Sequence, residues 1–140
     1  MEEFSLSLGI GAKCRRVEDN DVLAVYEYSV YNWNLEEHKD SADIFDGIIK
    51  IVKSELEEPI IKEKTIKTSS GKKKTVIKRI HKDVDISELI KREYIVIDNS
   101  SHCFKISAEG VDVMAIKLCN KIFEIYQDES FLPETVSIFS

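Results

Sequence analysis

Histidine and cysteine supply the side chains best suited to catalysis or metal binding in this chain, and each occurs three times. Protein metal sites reuse short ligand spacings such as Cys-x-x-Cys and His-x-x-x-His, and these six residues show none of them. The five glycines are scattered, so no glycine-rich loop is formed to bind a phosphate group. We therefore expect neither a metal nor a cofactor. The six residues are His38, His81, His102, Cys14, Cys103 and Cys119.

Cys103 is the candidate nucleophile of the chain. His102 or His81 could act as its base and Asp98 could orient that base, provided that the fold brings the groups together. His102 and Cys103 are adjacent, so on an extended segment their side chains would point to opposite faces. We expect a protein that is not an enzyme, and keep a small thiol enzyme built on Cys103 as the weakest alternative.

Charge is distributed unevenly along the chain. The segment Pro59–Lys82 contains nine Lys or Arg and one acid and so carries +8, while the whole chain carries −6 and the remainder −14. A basic lobe on an acidic body steers charged partners, and does so less at high salt. Lysines on an exposed hairpin can also serve only to keep its edges soluble. The basic residues that we expect to contact an acidic partner are Lys72, Lys73, Lys74, Lys78 and Arg79.

Nucleic acid is the alternative partner of this basic segment. Phosphate groups attract lysine, but single-strand binding also uses aromatic side chains on which bases stack, and residues 59–82 contain no Phe, Tyr or Trp. The acidic remainder of the chain would also repel a polyanion. The sequence therefore favours a protein partner over a nucleic acid.

An acidic cluster offers a second candidate interface. It lies next to two aromatic residues, Tyr31 and Trp33, at the end of a predicted strand. Aromatic anchors surrounded by carboxylates suit a basic protein partner. The same acids could instead only stabilise the positive end of a helix, with the aromatics completing the core. The acidic cluster consists of Glu36, Glu37, Asp40, Asp43 and Asp46.

Hydrophobic periodicity predicts two hairpins. Residues 4–14 alternate apolar and small or polar side chains, residues 22–33 are rich in β-branched and aromatic side chains, and the cluster 18–21 between them favours a turn. Residues 60–68 and 74–82 flank a Ser-Ser-Gly-Lys turn and form the second hairpin. Because this hairpin buries few apolar residues, we expect it to protrude, with an exposed tip.

Helices are predicted at three places. Apolar residues at helical spacing favour a helix over 41–57, although Gly47 disfavours it, and the strongest stripe runs over 109–128. A short helix is expected over 85–91, a buried strand over 94–98, and an apolar tail after residue 130 that packs back. The sequence thus predicts an α+β fold, with an antiparallel sheet from two hairpins plus one further strand and two main helices on one face.

Length and composition indicate one domain in a reducing compartment. A chain of 140 residues matches a common domain size, and no apolar run approaches the roughly 20 residues that span a bilayer. Glu2 and Glu3 place negative charge where an export signal needs positive charge. Cys14 and Cys119 fall on predicted apolar faces, as reduced thiols commonly do. We expect a single cytoplasmic domain over 1–140 with no membrane contact.

In size, acidity and lack of a catalytic motif, the chain resembles the immunity proteins that neutralise bacterial toxins. The resemblance covers the whole chain as a profile and rests on no motif. It implies an antitoxin that binds a toxin domain through electrostatic and aromatic contacts, often an acidic surface against a basic nuclease. The +8 segment departs from that profile, so either the acidic cluster or the basic residues could make the contact. The broad apolar circumference of the last helix leaves a homodimer open.

Overall fold

The computed structural model describes residues 10–32, 43–101 and 105–139. Within these ranges the chain forms seven strands and two α-helices, which confirms the predicted α+β class. Five strands build one antiparallel sheet in the order β6-β3-β2-β1-β7, and the other two form a separate hairpin. In the described ranges no helix is both long enough and apolar enough to cross a lipid bilayer.

The first hairpin consists of β1 (Ile10–Asp19) and β2 (Leu23–Asn32). Alternation along β1 buries Ile10, Ala12 and Cys14, as the sequence predicts. The Asn20 side chain closes the turn, because its Oδ1 accepts hydrogen bonds from the backbone amides of Val22 at 2.8 Å and Leu23 at 2.9 Å. The predicted part of the strand before residue 10 lies outside the described residues.

The helix predicted over 41–57 is wrong. Strand β3 (Gly47–Val52) occupies this segment, pairs with β2, and is followed by a 3-10 turn at Lys53–Glu55. Every second residue of this strand is buried, namely Gly47, Ile49 and Ile51, so the segment fits a strand as well as the predicted helix. The β-branched isoleucines favour the strand. A Cβ at Gly47 would lie 2.2 Å from a ring carbon of Tyr28, so the glycine allows close packing between β2 and β3.

The second hairpin forms as predicted, from β4 (Ile60–Lys67) and β5 (Lys73–Ile80), but it lies in a sheet of its own. Its turn closes with a hydrogen bond from the Thr68 amide to the Lys72 carbonyl at 2.8 Å. Gly71 adopts a φ of 84° there, which a residue with a side chain rarely adopts. None of the hairpin's described residues belongs to the hydrophobic core, and every residue of both strands except Ile80 is exposed.

The short helix and the strand after it also form where predicted. Helix α1 (Ile86–Lys91) begins at Asp85, whose carboxylate accepts a hydrogen bond from the Glu88 amide at 3.1 Å. Strand β6 (Ile95–Asp98) then pairs with β3 at one edge of the five-stranded sheet.

Helix α2 (Val113–Glu129) covers the inner face of that sheet. It starts later than predicted, because a turn at residues 107–110 and a bridge between Ile106 and Asp112 precede it. The buried carboxylate of Asp112 caps the helix and accepts a hydrogen bond from the Tyr28 hydroxyl at 2.9 Å. The tail packs back as predicted, because β7 (Thr135–Phe139) pairs with β1. The core residues of α2 are Met114, Ala115, Leu118, Cys119, Ile122 and Phe123.

Candidate functional site

The candidate site is the arm, which we define as residues 60–80, comprising β4, β5 and their connecting turn. Every residue of β4 and β5 is exposed except Ile80, which is half-buried. A two-stranded hairpin is marginally stable by itself in water, so its attachment to the body determines its orientation.

Gln127, near the end of α2, anchors the root of the arm. Its side chain is buried; Nε2 donates to the Lys82 carbonyl at 2.9 Å and Oε1 accepts from the Lys82 amide at 2.6 Å. The Gln127 carbonyl in turn accepts a hydrogen bond from Arg79 Nη1 at 2.9 Å. Of the basic residues predicted to bind a partner, Arg79 therefore also holds the arm in place.

Two further side-chain contacts reinforce this root. His81 pairs with Asp128 of α2, and Lys82 pairs with Glu57 at 3.5 Å. Sequence reasoning missed the role of Gln127, because a polar residue within a helix gives no signal of its partner 45 positions away.

The seven lysines of the arm form no ion pair within the parts of the chain that the structure describes. Among the described residues, no carboxylate lies within 4 Å of these seven ammonium groups. Lysines also stand directly opposite one another in the hairpin, Lys62 opposite Lys78 and Lys67 opposite Lys73. Like charges in such positions destabilise strand pairing, and an anionic partner would relieve the repulsion. The seven are Lys62, Lys64, Lys67, Lys72, Lys73, Lys74 and Lys78.

The strand register divides the arm into two faces, because residues directly opposite each other lie on the same side. We name them the lysine face and the threonine face. The lysine face contains Ile60, Lys62, Lys64, Ile66, Lys74, Val76, Lys78 and Ile80. The threonine face contains Ile61, Glu63, Thr65, Lys67, Lys73, Thr75, Ile77 and Arg79.

The described members of the acidic cluster have partners within the chain. Asp43 pairs with Lys13 at 3.8 Å, and Asp46 accepts hydrogen bonds from Ser100 Oγ at 2.7 Å and from Ser101. Burial would raise the pKa of Asp46, but the hydrogen bonds from Ser101 and Ser100 outweigh it and lower the pKa.

The aromatic and remaining acidic members of that interface are only partly described. The half-buried Tyr31 lies over Gly11, where a Cβ would meet its ring at 2.4 Å. The other four predicted residues lie outside the described residues, so an interface in this region stays a prediction. These four are Trp33, Glu36, Glu37 and Asp40.

The thiols that the structure describes are buried in the core. Burial raises the pKa of Cys14 to about 12 and also raises the pKa of Cys119, so neither is a reactive thiolate at neutral pH. The candidate nucleophile Cys103, with His102 and also His38, lies outside the described ranges. Within those ranges no group of three or more His, Cys, Asp or Glu side chains could hold a metal ion.

An open groove of about 820 Å³ lies between the end of β1 and the chain that follows α2. Its charged side chains have internal partners: Arg16 donates to the Leu132 carbonyl at 2.9 Å, and Lys53 pairs with Asp19. Because these charged side chains of the groove already have partners within the chain, the arm remains the stronger candidate site.

In comparisons with known proteins, no family model, no curated protein and no solved structure matches this chain. Function is therefore inferred from the geometry and chemistry of the chain itself.

Proposed function

We propose that the protein is a non-enzymatic binding module whose arm docks onto another protein that presents acidic side chains. The observation that carries the proposal is the arm itself: a hairpin attached at its root, with seven exposed lysines that have no carboxylate within 4 Å among the described residues. A surface that only needs solubility gains little from lysines placed opposite lysines, because such pairs weaken the hairpin.

Exposed aliphatic side chains favour a protein over a nucleic acid as the partner. Ile60 and Val76 are 43% and 37% exposed, and the arm has no aromatic residue on which a base could stack. The remainder of the chain outside Pro59–Lys82 carries −14, which would repel a long polyanion more than a protein with a local acidic patch.

The finer form of the proposal is an immunity-type role, in which a bacterial toxin domain is the partner and the compartment is the cytoplasm. The profile of size, acidity and motif content supports it, as do two buried free thiols. The basic arm is the better supported contact surface, because the described acids Asp43 and Asp46 already have partners within the chain.

Affinity capture with a matched charge variant tests the proposal. Tagged protein and a variant with Lys72→Glu, Lys73→Glu and Lys74→Glu are each used to capture binding proteins from nuclease-treated lysate of the source cells. These lysines are exposed at the tip, so the reversal leaves the core contacts intact. A captured protein is then purified and titrated against both forms at low and high salt.

We expect direct binding that weakens at high salt and weakens at least about tenfold in the variant. Equal binding by both forms would overturn the role of the arm. Absence of any captured protein in the nuclease-treated lysate, with salt-dependent binding of a labelled oligonucleotide by the unmodified protein but not by the variant, would instead establish the nucleic-acid alternative.

A further inference from the structure

The two faces of the arm differ in chemistry. The lysine face has four lysines and no carboxylate, with Ile60 and Ile80 at its root and Val76 and Ile66 further along the strands. The threonine face has Glu63 among its charges and two threonines at its centre, and its Arg79 is held by α2. The lysine face is therefore the more basic of the two. Among the described residues, no side chain of this face forms a hydrogen bond or ion pair with the body of the protein.

The lysine face also forms a shallow concave surface. An open hollow of about 400 Å³ is lined by Lys62, Lys64, Val76, Lys78 and Ile80 of this face, together with Glu63. Val76, which lines the hollow, is 37% exposed, and Ile60 of the same face is 43% exposed, so the lysine face offers apolar area beside its ammonium groups. A partner with apolar side chains among its carboxylates should bind such a surface more tightly, because the burial of apolar area adds to the attraction between opposite charges.

We infer that the lysine face alone is the contact surface, and that it binds an acidic protein segment carrying apolar side chains among its carboxylates; this inference rests on the proposed function. Lys62 and Lys78 meet carboxylates that also relieve their mutual repulsion, while Val76 contacts an apolar side chain of the partner. The threonine face stays towards solvent or the body.

The register supplies a matched pair of charge variants. Lys62→Gln with Lys78→Gln removes one cross-strand lysine pair from the lysine face, and Lys67→Gln with Lys73→Gln removes one from the threonine face. Both variants lose two charges and one repulsive pair, so general electrostatic attraction weakens equally in the two. Only a contact specific to one face would therefore give the two variants different affinities for a partner.

Two peptides serve as probes, each with eight glutamates at fixed positions and with four leucines in one and four serines in the other. Fluorescence anisotropy measures their dissociation constants with the full chain and both variants. We expect the leucine peptide to bind about tenfold tighter than the serine peptide. We also expect the lysine-face variant to lose about tenfold in affinity for it, and the threonine-face variant less than about threefold.

Equal losses in the two variants would overturn the face assignment while leaving an arm-mediated function intact. Equal binding of the two peptides would overturn the apolar part of the inference. Unchanged affinity in both variants would contradict the inference and the proposed function together, and a single-stranded oligonucleotide of equal charge that binds tighter than either peptide would replace the protein partner by a nucleic acid.

Discussion

Replacing Gln127 with methionine should loosen the arm without disturbing the core. Methionine has a similar volume and no hydrogen-bonding groups to match the amide, so the packing of this buried position is kept while the Lys82 amide and carbonyl lose their partners. A hydrogen bond of this kind contributes about 1 kcal/mol, so two of them correspond to about 2 kcal/mol in the free energy of opening the arm.

Hydrogen exchange measures this local opening. A loss of about 2 kcal/mol corresponds to exchange about thirtyfold faster at the amides of β4 and β5. Amides at the centre of the five-stranded sheet should change less, because their exchange requires opening of the core. Asn120→Met, at an exposed position two turns earlier on the same helix, is the matched control.

Unchanged exchange in β4 and β5 of the Gln127→Met protein would refute the anchoring role of this amide. Equal acceleration in the Asn120→Met control would show that any change in this part of α2 loosens the arm.

Three further predictions concern the body of the protein. Gly47→Ala places a Cβ against the Tyr28 ring and should lower the free energy of unfolding by about 1–3 kcal/mol in urea denaturation. Tyr28→Phe leaves the buried Asp112 carboxylate and the Ser100 amide each short of a hydrogen bond and should cost about 2 kcal/mol or more, whereas an unchanged midpoint would contradict this network. Because burial raises the pKa of Cys14 from 9.0 to about 12, its contribution to stability is complete below pH 9 and is lost as the pH rises towards 12. Cys14→Ala should therefore flatten the decline of unfolding free energy between about pH 9 and 12.

Local sequence patterns predict most elements of this fold. The alternation in β1, the Asp85 cap of α1 and the apolar stripe of α2 each depend on residues close together in the chain, so the sequence alone reveals them. The segment 47–52 could not be predicted in this way, because the spacing of its isoleucines fits both a helix and a strand. Pairing with β2 on one side and with β6 on the other stabilises the strand, and β6 in particular is distant in sequence.

The candidate site shows the same division between local and long-range information. Counting charges is enough to predict a basic hairpin, and its turn residues predict the tip. The two faces of the arm depend on the register between β4 and β5, and the anchor depends on a contact between Lys82 and Gln127. Neither could be predicted, because the basic segment is compatible with several registers and its attachment point leaves no pattern in the sequence.

Lysine footprinting tests directly whether the arm presents its ammonium groups to an acidic partner. The protein is acetylated briefly with an activated acetate ester, free and in complex with the purified partner, and modification at each lysine is measured by mass spectrometry. In the free protein the lysines at 62–78 should react faster than Lys53, which pairs with Asp19, and in the complex Lys62 and Lys78 should become protected. Arm lysines that react no faster than Lys53, or that react equally fast in the complex, would contradict the account.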